Sequence, residues 1–348
     1  MTAQFKHFID PNIAILGDNT RQFLENLAQP TAIFLTGRDS SRCRALVTLL
    51  HGNEPSGVEA LFRWLRSGMK PEVNLLCIIA SVSAASIEPV FSHRMIAGQR
   101  DLNRCFKPPF TDEVEQLAQQ ILAILVEYQP EAIIDLHNTS GSGPAFAVAA
   151  GHHIQHQALA SLFSQRLIIT DLRLGSLMEL SQNPCPIVTI ECGGRLDESA
   201  HQLAFEGIQK YFLADQVLEP QQCDFALDLL YNPVRLELKP DTSLTYALEP
   251  TESDVTLLAD IEHLNSGIAH QGIQLGWIEP EICSLGDIFL AKNSRGEDVL
   301  DRIITAKGNQ LYFSQDLILF MVTTDTRIAY TDCLFYASCI NGNEIGLT

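Results

Sequence analysis

The feature that most constrains the fold is the alternation of short apolar runs with helical segments up to about residue 215. Apolar runs of this length are typical of strands buried on both faces, and the segments between them have helical spacing. This alternation predicts an α/β fold with a mostly parallel, partly mixed central sheet flanked by helices. The predicted strands are 45–50, 73–80, 132–136, PAFAVAA and PIVTIE, and the predicted helices are PSGVEALFRWLRSG (55–68), 112–129 (N-cap Thr111), about 158–166 and 198–215.

The pattern changes after about residue 222, where short runs such as GIQLGWIE and LILFMVT are separated by Gly, Asn, Asp and Pro. Such punctuation is typical of strands joined by turns. We therefore predict an α/β domain at residues 1–220 and a smaller β-rich C-terminal domain at residues 221–348. Within the second domain, TESDVTLLADIEHLN (251–265) is predicted to be a helix.

Charge and composition exclude several classes of function. The net charge of −19 argues against nucleic acid or an anionic membrane as partner, because a phosphate surface attracts basic proteins. The nine cysteines include no C-x-x-C pair, which argues against a zinc ribbon or a thioredoxin-type site. No apolar run approaches the roughly 18–20 residues of a membrane helix, and the N-terminus lacks a signal-peptide pattern. We expect a cytoplasmic protein.

The first chemical motif is LVTLLHGNEPSG, in which His51 and Glu54 follow a predicted buried strand. Imidazole nitrogen and carboxylate oxygen are common zinc ligands, and a tight turn at a strand end can direct both to one point. H-x-x-E also occurs by chance, so this pair alone would not predict a metal site.

A third ligand candidate comes from AIIDLHNTSGSG, where His137 follows another apolar strand. Two histidines and one glutamate with an open position are typical of catalytic zinc. Both motifs stand at the carboxyl ends of strands, where open α/β sheets bind their ligands. A lone histidine in a polar loop is the simpler alternative for His137, and the joint occurrence of the two motifs favours zinc.

Glu191 ends the strand in IVTIECGGR and precedes two glycines, which allow a substrate to approach the backbone. A carboxylate here could take a proton from water and deliver it to a leaving amine. The alternative is a solvated glutamate at a strand end.

The segment GQRDLNRCF offers substrate contacts. Arg104 has a planar fork suited to a carboxylate, with Asn103 beside it, and Arg94 and Arg100 lie close in the sequence. A positive group near the scissile carbonyl would also stabilise an oxyanion. The alternative for Arg104 is a structural pair with Asp101.

A second group of histidines, His152, His153 and His156, has one-turn spacing between its first and last members. No acidic residue completes this group, so we interpret it as a solvated polar segment rather than a metal site.

The motifs HGNE, DLNR, DLHNTSG and IECGG, in this order, resemble the succinylglutamate desuccinylase/aspartoacylase family, whose members are related to zinc carboxypeptidases. The resemblance covers about residues 40–215 and implies a zinc-carboxypeptidase-like fold. It implies that Zn²⁺ is bound by His51, Glu54 and His137, and that Glu191 is the catalytic base.

The resemblance also implies roles for the DLNR segment. Asn103 and Arg104 would bind the substrate's carboxylate. Arg94 is the candidate for polarising the scissile carbonyl, with Arg100 as the competing candidate. Where aspartoacylases carry an arginine that binds the aspartate side chain, this sequence has SQNPCP with Ser181 near the matching position. Neither aspartate nor succinylglutamate is therefore implied as substrate.

The implied function is zinc-dependent hydrolysis of the amide bond in a small N-acyl amino acid, with water as nucleophile. In relatives the β-rich domain narrows the mouth of the site, which favours small substrates, and some members form oligomers. A carboxypeptidase-like peptidase and a non-catalytic metal-binding module are the alternatives. A binding module would not need Glu191.

Overall fold

The computed structural model describes residues 5–139, 141, 143–181, 185–219, 225–265 and 267–346. They divide into two compact units. The first is Met1–Asn138, Ala145–Leu167 and Arg173–Leu227, and the second is Thr139–Pro144, Ile168–Leu172 and Asp228–Thr348. The domain boundary predicted between residues 220 and 221 lies outside the described residues.

The first unit alternates strands and helices, as the apolar pattern predicts. Its strands are β1 (Lys6–Ile9), β2 (Thr31–Leu35), β3 (Asp39–Thr48), β4 (Val73–Ile79), β5 (Ile133–Thr139), β6 (Phe146–Ala149), β7 (Arg166–Ile169) and β8 (Ile187–Gly194). Its helices are α1 (Thr20–Leu27), α2 (Ser56–Ser67), α3 (Val82–Ala85), α4 (Glu113–Tyr128), α5 (Ile154–Ser161) and α6 (Glu198–Leu213). The sequence reading missed β1, β2 and β7.

These eight strands follow the order β1-β2-β4-β3-β5-β8-β6-β7 within the sheet. Strand β3 runs parallel to both β4 and β5, whereas β2 is antiparallel to β4 and β6 is antiparallel to β8. The prediction of a mixed sheet in an α/β fold is confirmed. Because β3 and β5 are parallel neighbours, residues that follow their carboxyl ends lie close together.

Helix α4 illustrates how local sequence sets a boundary. Its N-cap is Asp112 rather than the predicted Thr111, because the Asp112 carboxylate accepts hydrogen bonds from the backbone of Val114 and Glu115. The Glu115 carboxylate in turn accepts from the backbone of Asp112 and completes a capping box. The buried face of α4 packs in a core with Val47, on β3, and other strand residues.

Gly57, in the first turn of α2, sets how closely this helix approaches the sheet. A Cβ at Gly57 would lie 2.2 Å from the Oγ1 of Thr48 and 3.0 Å from the Cβ of Leu136. Glycine to alanine in a helix ordinarily stabilises by about 1 kcal/mol. We expect Gly57→Ala instead to lower the free energy of unfolding by roughly 1–3 kcal/mol through overpacking. Denaturant titration against Ser67→Ala, at the exposed end of the same helix, measures this, and a gain in stability would contradict it.

The second unit contains two five-stranded sheets and matches the expected β-rich region. The ten strands of these sheets are β10 (Val234–Leu238), β11 (Leu244–Ala247), β12 (Val255–Leu258), β13 (Ile268–Ala269), β14 (Gln274–Ile278), β15 (Phe289–Leu290), β16 (Ile304–Lys307), β17 (Gln310–Phe313), β18 (Leu317–Phe320) and β19 (Phe335–Cys339). A further strand, β9 (Asp228–Tyr231), belongs to neither sheet. Two short helices are α7 (Leu300–Ile303) and α8 (Thr326–Thr331). One sheet has the order β13-β18-β19-β10-β15 and the other β11-β12-β14-β17-β16.

The helix predicted at 251–265 is wrong. Residues Val255–Leu258 form β12, and Ile261–Leu264 form only a short 3-10 helix. Strand β12 pairs with β11 on one side and β14 on the other. Pairing on both edges outweighs the helical spacing of the apolar residues. Among the described residues, no helix combines the length and apolar character needed to cross a membrane.

Candidate metal centre

The turn after β3 brings His51 and Glu54 together. Strand β3 ends at Thr48, Leu49 adopts a left-handed backbone conformation (φ 54°), and α2 begins at Ser56. Both residues are buried, at 4% exposure for His51 and 5% for Glu54. The Nδ1 of His51 lies 2.8 Å from the Oε1 of Glu54. The HGNE motif therefore forms a compact buried pair.

His137 reaches the same carboxylate from β5. Its Nδ1 lies 2.7 Å from the Oε2 of Glu54, and its ring is 5.0 Å from that of His51 between centroids. One potential ligand atom from each of the three residues lies within 4.8 Å of the other two. We call His51, Glu54 and His137, which could together hold a metal ion, the metal centre.

Two further carboxylates orient the imidazoles. The Nε2 of His51 lies 2.9 Å from the Oδ1 of Asp101, and the Nε2 of His137 lies 2.9 Å from the Oδ2 of Asp135. A carboxylate on Nε2 keeps a proton there, which leaves the Nδ1 lone pair free for a cation. This donor set, with both Nδ1 atoms directed at Glu54, fits a divalent metal such as zinc.

The pKa values of the centre reflect these contacts. Burial raises the pKa of Glu54, but the two histidines outweigh it and hold that pKa well below its usual range. Burial lowers the pKa of His137, but the Asp135 and Glu54 carboxylates outweigh it and raise that pKa well above the usual value. Without a cation, the carboxylate and a proton on His137 thus stabilise each other.

Arg94 lies at the edge of the centre. Its Nη2 and Nε contact the Oδ2 of Asp101 at 2.9 and 3.2 Å, and its Nη1 lies 3.4 Å from the Oε1 of Glu54. Burial lowers the pKa of Arg94, but the Glu54 and Asp101 carboxylates outweigh it and raise that pKa. The guanidinium therefore remains a fixed positive charge beside the metal ligands.

Arg100, the competing candidate, is directed elsewhere. Its guanidinium donates to Asp112 at 3.2 Å and to Glu115, both at the start of α4. The structure brings Arg94 to the metal centre and does not bring Arg100 there.

Asn103 and Arg104 follow Asp101 in a short 3-10 helix, Leu102–Arg104. Asn103 is buried, and its side-chain Oδ1 accepts from the backbone of Leu177 at 3.0 Å. The Nη1 of Arg104 donates to the Asn103 carbonyl at 2.9 Å. Among the described residues, no carboxylate lies within ion-pair distance of Arg104. In the part of the chain that the structure describes, its guanidinium therefore has no ion-pair partner, although its charge helps to lower the pKa of Asp101.

Glu191 lies on β8, and its Oε2 is shielded from solvent without a hydrogen-bond partner among the described residues. Burial raises the pKa of Glu191 to about 8. The charges of His137 and Arg94 act against this shift, and those of Glu54 and Asp135 add to it. Glu191 is therefore a half-buried residue with one shielded carboxylate oxygen, within the electrostatic reach of the metal centre.

The second histidine group has a different environment. The rings of His152 and His153 stack 5.8 Å apart, and the Nε2 of His156 lies 2.8 Å from the Oγ of Ser181. Burial lowers the pKa of His156 to about 4. Ser181 also accepts from the backbone of Ile187 at 3.0 Å, while residues 182–184 of SQNPCP lie outside the described residues.

Sequence reasoning missed the orienting roles of Asp101 and Asp135. A signal existed for Asp135, because residues two apart on a strand share a face and His137 is its second neighbour. Asp101 was considered only as a partner of Arg104. Its long separation in sequence from His51 offers no such local signal.

Comparison with known proteins supports one family. A model of the "Succinylglutamate desuccinylase/Aspartoacylase catalytic domain" family matches residues 44–209. A search of curated proteins found no match.

Several solved structures share the fold. A succinylglutamate desuccinylase/aspartoacylase from Rhodobacter sphaeroides aligns over 88% of this chain and 86% of its own, with a TM-score of 0.55 and 14% identity. For a succinylglutamate desuccinylase from Vibrio parahaemolyticus the shares are 86% and 82%, the TM-score 0.51 and the identity 15%. Murine aminoacylase 3 aligns over 87% of this chain and 96% of its own, with a TM-score of 0.50 and 17% identity. Residues 44–209 thus match the catalytic-domain model of the succinylglutamate desuccinylase/aspartoacylase family, which confirms the resemblance carried by the four sequence motifs.

Proposed function

We propose that the chain is a zinc-dependent amidohydrolase that cleaves the amide bond of a small N-acyl amino acid. The observation that carries the proposal is the convergence of two Nδ1 atoms on Glu54, at 2.8 and 2.7 Å, with a carboxylate behind each imidazole. When bound at this centre, zinc would polarise the scissile carbonyl and lower the pKa of water.

Glu191 is assigned as general base and then general acid. Its unpartnered Oε2 is free to accept a proton from the attacking water. The proton then passes to the departing amine, which restores the carboxylate. A protein that only stored metal would need the three ligands but no unpartnered buried carboxylate beside them, which favours catalysis over a binding module.

Arg94 is assigned to the oxyanion that forms when the carbonyl is attacked. Of its three contacts with carboxylates, that from Nη1 to Glu54 is the longest, at 3.4 Å. This N–H can turn to a substrate oxygen while Nη2 stays on Asp101. A donor already in place before attack stabilises the developing charge with little reorganisation.

Arg104 and Asn103 are assigned to the carboxylate of the substrate's amino acid part. We expect Arg104→Met to raise KM by roughly 10- to 100-fold with little change in kcat, since a charge-assisted hydrogen bond contributes about 1.5–3 kcal/mol. Initial rates over a range of substrate concentrations measure this. Arg100→Met is the matched control, because Arg100 pairs with Asp112 and Glu115. An unchanged KM for Arg104→Met would contradict the assignment.

The function is tested by release of free amine from a panel of N-acyl amino acids and short peptides. We expect zinc-loaded protein to hydrolyse one acyl class, to lose that activity with a chelator and to regain it with zinc. Release of terminal residues from peptides would indicate the carboxypeptidase alternative. If zinc-loaded protein released no amine from any compound of the panel, that result would count against an N-acyl amino acid hydrolase.

A further inference from the structure

A buried chain of hydrogen bonds runs from α6 toward the metal centre, and none of the roles above uses it. The Nδ1 of His201 lies 2.8 Å from the Oγ of Ser56, and the Nδ2 of Asn138 donates to the same Oγ at 2.7 Å. Ser56 is fully buried, Asn138 is 4% exposed, and the His201 side chain is 13% exposed. The chain therefore lies inside the first unit.

Asn138 holds three segments together. Its Oδ1 accepts from the backbone of Ser56 at 3.0 Å, and its Nδ2 donates to the carbonyl of Gly193 at 2.9 Å as well as to Ser56. Its own backbone N–H donates to the Oε2 of Glu54 at 3.3 Å. One side chain thus connects the start of α2, the end of β5 and the part of β8 that follows Glu191.

The direction of the Ser56 hydroxyl follows from these contacts. Its oxygen accepts from Asn138, and its own proton can go to the Nδ1 of His201, the remaining partner. His201 must then present a lone pair at Nδ1. Glu59 faces the same nitrogen at 3.6 Å, outside hydrogen-bond distance. The Nδ1 of His201, as a hydrogen-bond acceptor, is therefore the last member of this chain of hydrogen bonds.

We propose that His201 is a positioning residue for the metal centre. By accepting a hydrogen bond from the Ser56 hydroxyl, it orients the Ser56 oxygen toward the amide of Asn138. Asn138 in turn donates hydrogen bonds to Glu54 and to the carbonyl of Gly193, which follows Glu191 on β8. His201 lies 64 residues beyond His137 in the sequence, and its polar contacts are with Ser56 and Glu59 rather than with the metal ligands. The inference rests on the proposed metal centre, but not on any particular substrate.

Two polar substitutions separate positioning from simple packing. In His201→Asn the amide oxygen can take the place of Nδ1, whereas in His201→Gln the amide lies at the position of Nε2 and leaves Ser56 without its acceptor. Gln202→Leu is the control, since Gln202 is exposed on the same helix and contacts Arg63 and Glu206 instead.

The readout is the dissociation constant for zinc, measured by competition with a chelating indicator, together with Tm. We expect His201→Gln to weaken zinc binding about 10-fold. This is the lower end of the roughly 10- to 100-fold loss that follows removal of a group that orients metal ligands. His201→Asn and Gln202→Leu should stay within about 3-fold of the wild type, well below that cost.

Equal affinities for all variants would overturn the inference, as would an equal loss in His201→Asn and His201→Gln. The proposed function fails separately, if zinc-loaded wild-type protein binds the metal yet hydrolyses nothing in the panel. In that case the order of zinc affinities still decides whether His201 positions the metal centre. Hydrolysis without the expected order of affinities would overturn only the inference.

Discussion

Glu191→Gln is expected to lower kcat by roughly 10²- to 10⁴-fold, the range for loss of general acid–base catalysis, while zinc stays bound. Glutamine has nearly the same shape but cannot take a proton from water at neutral pH. The Oε2 of Glu191 has no hydrogen-bond partner among the described residues, so the substitution breaks no structural contact there. Stopped assays of amine release, with zinc content measured by metal analysis, check both halves of the expectation.

The control for this variant is Glu198→Gln, an exposed acidic residue at the start of α6. We expect the control to keep wild-type kcat. Activity of Glu191→Gln above about one tenth of the wild type would show that Glu191 is not the base. A loss of less than about tenfold is far smaller than the roughly 10²- to 10⁴-fold loss expected without general acid–base catalysis. Loss of zinc from this variant would instead indicate that Glu191 helps to hold the metal.

His137→Ala is expected to remove both metal and activity. It deletes one of three ligand atoms, so zinc affinity should fall by at least roughly 100-fold. That is the largest loss of affinity typical of removing a group that only orients a metal ligand, and a ligand itself should matter more. It also leaves Asp135 and Glu54 buried without their shared partner. Breaking a buried pair in this way costs about 3–5 kcal/mol, so the metal-free variant should unfold at lower denaturant concentration than the metal-free wild type.

His156→Ala is the matched control, because His156 is also a buried histidine but contacts Ser181 rather than the metal centre. We expect it to lose some stability and to keep its zinc. Zinc content and denaturant curves for the two variants, measured side by side, make the comparison. If His137→Ala kept zinc at wild-type affinity, the metal centre would be wrongly assigned.

The sequence alone was sufficient to predict which three side chains converge in one buried group, and their binding of zinc stays a prediction. His51 and Glu54 are neighbours in one turn, and His137 follows an apolar strand of the same kind. Rules about the carboxyl ends of parallel strands then bring the two motifs to one place. The parallel pairing of β3 with β5 is the structural reason why that expectation holds.

The contacts around the centre were harder to predict. Whether an arginine in the segment 94–104 faces the centre depends on loop geometry, which no periodicity encodes. Arg94 contacts Asp101, while Arg100 donates a hydrogen bond to Asp112, the N-cap of α4. Likewise, Ser56 and His201 are 145 residues apart and become neighbours only because α2 packs on α6.

The fold was predictable in class and less so in detail. Local patterns identified buried strands and helices, but strand direction depends on partners that are distant in sequence. The antiparallel pairs β2–β4 and β6–β8 were therefore not specified in advance. Pairing on both edges also explains why Val255–Leu258 became a strand despite helical spacing.

The distribution of charge at the centre has a consequence for acid conditions. Four carboxylates lie in or beside the centre, those of Glu54, Asp101, Asp135 and Glu191, and Arg94 contacts two of them, Glu54 and Asp101. So much buried negative charge must be neutralised, either by protons on the imidazoles and Glu191 or by a divalent cation. Protons and metal therefore compete for one buried position. We expect acidification to release a bound metal ion, and neutralisation in the presence of zinc to restore binding.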